Sequence, residues 1–182
     1  MNSGIDWTTV SVALITAFSA AGGPFWIWHR QAARERESVR AALIAEVLAL
    51  VELVELRGYV EGLRAAQADL SPPEGASIAE IFEPRFQKYS VNIHEHYNRV
   101  YQANVTRLGG LSTDEAKQIV RFYQLADSVR LDVTAGGVLF SGTADPDSFG
   151  EAADLLDAAM KIGRELTAER GKKKWGMRKK AG

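Results

Sequence analysis

From Trp7 to Trp28 the chain reads "WTTVSVALITAFSAAGGPFWIW", 22 residues without a charged side chain, between Asp6 and His29–Arg30. As one helix this stretch would be about 33 Å long, close to the ~30 Å hydrocarbon thickness of a bilayer. Trp7 stands at one end and Trp26 and Trp28 at the other, where indoles keep their rings at the lipid interface and their N–H groups wet. Thr8, Thr9, Ser11, Thr16 and Ser19 make the stretch only moderately apolar, but helical hydroxyls bond back to their own backbone carbonyls. Gly22–Gly23–Pro24 would end or kink a soluble helix, and membrane helices tolerate these residues more often. A cleaved signal needs a basic leader and a short apolar core, whereas here only Asp6 carries charge ahead of a long segment. The sequence therefore predicts a retained transmembrane anchor over residues 1–29, in preference to a cleaved signal or a soluble core helix.

Arg30, Arg34, Arg36 and Arg40 follow the stretch and no Lys or Arg precedes it. The bias of basic residues to the cytoplasmic side then places the N-terminus outside and residues 29–182 in the cytoplasm. Thr9, Ala13, Ala17 and Ala21 recur every fourth residue, a small-residue face along which two membrane helices can approach closely. In an alanine-rich chain the same spacing also arises by chance.

The remaining residues are enough for one packed core. The absence of cysteine excludes disulfides, thiolate zinc sites and cysteine nucleophiles, and fits a reducing compartment. A net charge of −1 hides a lopsided distribution. Residues 41–160 carry nine basic and eighteen acidic side chains, whereas residues 161–182 carry nine basic and two acidic.

"ARERESVR" reads as a solvated stalk leading into a long helix that reaches about Leu70, interrupted only by Gly58 and Gly62. Leu43, Val47, Leu50 and Val54 fall at helical spacing, and Ile44, Leu48 and Val51 widen the stripe. "SPPEGAS" at 71–77 is a break. A short helix is expected at 78–82, then "RFQKY" as an extended connector. From Val91 the spacing of Ile93, Tyr97, Val100, Tyr101, Val105 and Leu108 predicts a helix closed by Gly109–Gly110. Ser112 with Glu115 is a capping box for the next helix, which Ile119, Phe122, Tyr123 and Val129 make amphipathic. "GGVLFSG" reads as a frayed helix end, and Asp147 or Ser148 as the cap of a last helix. No segment shows sustained strand-type alternation. The expected architecture is all-α: one transmembrane helix, a small antiparallel helical bundle over 30–170 broken at 71–77, and a basic tail over 171–182.

Val100–Tyr101, Ala103–Asn104, Leu108–Gly109, Ile119–Val120 and Phe122–Tyr123 form a pattern that resembles uncharacterised bacterial proteins with one N-terminal transmembrane helix and a small helical cytoplasmic domain. The resemblance covers about half the chain, rests on helix-packing residues and carries no known activity. It implies the same architecture, in the inner membrane of a bacterium.

Candidate chemistry is sparse. His94 and His96 in "HEH" are two apart and would diverge on a helix, whereas helical zinc sites use i and i+3 or i+4. The acidic residues, among them Glu46, Glu52, Glu55 and Glu61, have no Glu-x-x-His partner, and solvation of helix faces explains them. No phosphate loop or nucleophile elbow occurs. Tyr89, Tyr97, Tyr101 and Tyr123, with Phe82, Phe86 and Phe122, are expected to fill the core. No catalytic, cofactor or metal residue is assigned.

The tail is richer. Lys172, Lys173, Lys174, Arg178, Lys179 and Lys180 surround Trp175, a composition suited to an anionic leaflet, where each cation contributes ~1 kcal/mol. Nucleic acid would use the same charge and is the weaker reading; a disordered solubilising end, or attraction to the acidic middle of the chain, is the other. The expected function is a non-enzymatic, membrane-anchored interaction or adaptor protein whose partners are lipid and either another protein or a second copy. The alternative is a membrane-active effector of phage or defence type that oligomerises through its anchor.

Overall fold

The computed structural model describes the backbone of residues 7–72, 75 and 85–180 and the side chains of 28–72, 75 and 85–168. Every named element is helical: α1 (Trp7–Arg57), α2 (Tyr59–Leu70), α3 (Arg99–Asn104), a 3-10 turn (Val105–Gly110), α4 (Thr113–Val133), α5 (Val138–Ser141) and α6 (Pro146–Lys180). The all-α class read from the sequence is therefore correct. Among the described residues no helix is long and apolar enough to cross a membrane. The side chains of residues 1–27, which hold nearly all of the charge-free stretch, lie outside that set, as does the short helix expected at 78–82. The chain forms two compact units, Met1–Arg40 and Ala41–Gly182. Within the first, Arg34 to Ser38 are all exposed, as their charge requires.

In the second unit the core follows from apolar spacing. Leu43, Ile44, Val47 and Val51 of α1 are buried, one continuous helical stripe. The expected helix to Leu70 is interrupted at Gly58, whose φ of 60° ends α1 and lets α2 start in a new direction. α2 buries Leu63, Ala66 and Leu70. These meet Val129 and Val133 of α4, Leu139 of α5, and Phe149, Ala153 and Leu156 of α6 in one cluster. Full burial of each such Leu or Phe contributes about 1.5–3 kcal/mol. At Gly163 of α6, an added Cβ would lie 2.5 Å from Val51 Cγ2 and 3.1 Å from Phe122 Cε2. The missing side chain lets α6 approach α1 and α4 closely.

Helix starts are locally encoded. Ser112 Oγ accepts from Glu115 N at 3.3 Å, the expected cap of α4. At α6 the cap is Asp145 rather than Asp147 or Ser148: its carboxylate accepts from Asp147 N at 3.1 Å and Ser148 Oγ at 2.8 Å, and Pro146 occupies the first helical position. These bonds hold the Asp145 carboxyl below its usual pKa. Near the other end the backbone of α6 runs to Lys180.

The segment before α3 departs most from expectation. Residues 91–98 are not helical, and α3 covers only Arg99–Asn104. Instead residues 87–93 alternate, with 87, 89, 91 and 93 half-buried and 88, 90 and 92 exposed. That is the two-residue period of an extended chain. Its N–H groups bond out of the segment: Gln87 to Thr143 O at 3.0 Å, Tyr89 to Leu139 O at 2.8 Å and Val91 to Val133 O at 3.1 Å. The expected extended connector thus runs on to Ile93. "GGVLFSG" is likewise no frayed end but the separate single turn α5, which supplies Leu139 to the core.

Candidate functional site

The alternation at 87–93 aims Tyr89, Val91 and Ile93 at an apolar cavity of about 410 Å³ in the second unit. Leu50 and Val54 of α1, Leu63 of α2, and Ala159 and Met160 of α6 line other sides of it. Ligand sites usually measure about 300–1,000 Å³. Leu53 lines the cavity while 45% exposed, which places it at the mouth. Gly62 leaves room for the Tyr89 ring, since a Cβ there would stand 2.6 Å from its hydroxyl. That hydroxyl donates to Tyr59 O at 3.3 Å.

Polar lining gathers on one side, from Asn92, His94 and Tyr97 of the segment leading into α3 and from Arg130 of α4. Tyr97 Oη donates to Asp127 Oδ1 at 2.8 Å, and Arg130 Nε donates to the same oxygen at 3.1 Å. The guanidinium carbon lies 5.9 Å from the Tyr97 ring centroid, a cation–π distance. Burial, and then the bond to Asp127, push the Tyr97 pKa above its ordinary value, so its hydroxyl stays protonated. The side chain of Arg130 is 30% exposed, and the bond to Asp127 uses one of its five N–H donors. Asp127 itself does not line the cavity, and among the described residues no acidic one does.

The wall that carries Tyr97 is fixed by Glu46 of α1. Its carboxylate accepts from Val100 N at 2.7 Å, from Tyr101 N at 2.9 Å and from Tyr123 Oη at 2.6 Å. Those two amides lie in the first turn of α3, whose own N-cap residue, Asn98, makes no side-chain cap bond. Glu46 therefore caps a helix 54 residues away in the chain and ties it to α1 and α4. Tyr101 stacks on Tyr123 with ring centroids 4.0 Å apart. The Tyr123 pKa is raised, first by burial and then by its bond to Glu46.

The residues singled out from the sequence are only partly within view. Trp28 is 64% exposed and meets His29 edge-on at 5.3 Å, and Arg30 is exposed. The side chains of Trp7 and Trp26, of the small face Thr9, Ala13, Ala17 and Ala21, and of the tail from Lys172 to Lys180 lie outside the described residues. His94 and His96 sit on a turn rather than a helix, both exposed, with ring centroids 6.2 Å apart. Among the described residues no group of three His, Asp or Glu could hold a metal. Of the aromatic residues expected in the core, Phe122 and Tyr123 are buried, Tyr89, Tyr97 and Tyr101 are half-buried, and Phe86 is 62% exposed; Phe82 lies outside the described residues. The cavity and the Glu46 cap were not anticipated. The alternation of Tyr89, Val91 and Ile93 with Lys88, Ser90 and Asn92 was the available signal for the first.

No protein family, no curated protein and no solved structure matches this chain.

Proposed function

We propose that this chain is a non-catalytic binding protein anchored in a bacterial inner membrane by residues 7–28, its N-terminus outside and its antiparallel helical bundle in the cytoplasm. The observation that carries this reading is the 22-residue charge-free stretch from Trp7 to Trp28, bounded by tryptophans and followed by Arg30, Arg34, Arg36 and Arg40. A tether of this kind raises local concentration at the membrane, so modest contacts to a protein partner or a second copy suffice. The basic tail, beside Trp175, adds attraction to anionic lipid.

Binding rather than catalysis is favoured by how the polar groups are used. Asp127 is held by both Tyr97 and Arg130, and Glu46 by two amides and a hydroxyl. Each of these carboxylates is engaged by two or three donors of its own fold, an arrangement that fixes the walls around it.

Fractionation tests the anchor. Full-length chain should stay with membranes through high salt and then alkali, and a Leu14→Arg, Ala17→Arg double variant should be extracted by alkali. Release of the unaltered chain by salt alone would assign attachment to the basic tail and remove the anchor.

A further inference from the structure

We propose that the cavity between α1, α2, α4, α6 and the extended segment binds a single-chain amphiphile with an anionic head, its chain among the aliphatic walls and its head at Arg130. This goes beyond the membrane reading and does not depend on it. Water inside walls such as Leu50, Val54, Leu63, Val91 and Met160 finds few of the two to four polar partners that hold a buried water. An apolar occupant that displaces it therefore gains, and the volume suits one short chain.

The asymmetry of the lining selects the head. Among the described residues Arg130 is the one permanent cation lining the cavity and no carboxylate lines it, its partner Asp127 bonding Nε from outside the cavity. The other N–H donors of the guanidinium suit a carboxylate or a similar anion. His94 adds a polar group on the same side, whereas the Tyr97 and Tyr89 hydroxyls are already given to Asp127 and Tyr59. A cationic head would meet Arg130 with like charge. A neutral head would forgo the charge-assisted bond.

The test uses the full chain held in amphipathic polymer, free of monomeric detergent that would compete for the cavity. Calorimetric titration with octanoate should give one saturable site per chain, with octanol and octylammonium at least about tenfold weaker. Leu53→Glu, a change at the exposed mouth, should weaken octanoate about tenfold by placing like charge at the entrance, whereas Leu53→Gln should not. Ala126→Leu, which fills the cavity from α4, should abolish binding. Arg130→Gln should bring octanoate down to the level of octanol.

Absence of saturable octanoate binding to the unaltered chain would overturn the proposal. So would binding that survives both Leu53→Glu and Ala126→Leu, since the ligand would then sit elsewhere. Equal affinities for octanoate and octanol would remove Arg130 as the head-group site. Leu53→Glu keeps the test decisive if Ala126→Leu does not fold.

Discussion

Without the Glu46 carboxylate, the amides of Val100 and Tyr101 and the hydroxyl of Tyr123 lose their shared acceptor. Groups left unsatisfied at a half-buried site cost more than the net worth of the bonds that held them. Glu46→Ala should destabilise the second unit by about 2–3 kcal/mol in chemical denaturation, and Tyr123→Phe, which removes one bond and leaves the carboxylate its two amides, by about 1 kcal/mol. Equal losses would mean that the amides find other partners. The tyrosines also predict a dependence on pH. Tyr97 and Tyr123 hold their protons above the ordinary range in the folded chain. The unfolded chain ionises near pH 10, so the stability they confer is complete below that pH and declines as pH rises beyond it. At about pH 11, ultraviolet titration should show at least two of the five tyrosines un-ionised until the helical signal is lost. Little of this was legible from residue spacing. Glu46 sits among other carboxylates on its own helix, and only the fold brings α3 to it.

Elements were more legible where their signals are local. Ser112 and Glu115 mark the start of α4 within four residues, and the stripes of α1, α4 and α6 came directly from apolar spacing. The failure at 91–98 has a physical cause. Ile93, Tyr97 and Tyr101 are spaced by four, yet Val91 and Ile93 also continue the two-residue period of Tyr89. Both patterns bury Ile93, and the carbonyls of Leu139 and Val133, supplied by distant elements, decide for the extended form. Close packing at Gly163 makes an element-scale prediction. Ala there gains about 1 kcal/mol of helix propensity. Its methyl meets the stiff Val51 side chain at 2.5 Å and the Phe122 ring at 3.1 Å. Overpacking of this kind costs about 1–3 kcal/mol, so Gly163→Ala should lower stability by about 1 kcal/mol net. A stabilised variant would show that α6 can shift away from α1 without loss.

At the scale of the whole molecule the chain divides into two units, one holding the charge-free stretch and the other the buried core. The charge-free stretch, the arginines after it and the basic tail were plain in the sequence because each is a compositional block. The cavity was not, since its walls come from five separated segments and no short window contains them. Topology is the central claim, and the absence of native cysteine makes it directly measurable. Single Ser3→Cys and Ser128→Cys variants, the second at an exposed position on α4, can be treated with a membrane-impermeant maleimide in intact spheroplasts. The account predicts that Cys at position 3 is labelled at once and Cys at 128 only after permeabilisation. Labelling of position 128 in intact spheroplasts, or protection of both positions until lysis, would contradict a single-pass anchor with its N-terminus outside.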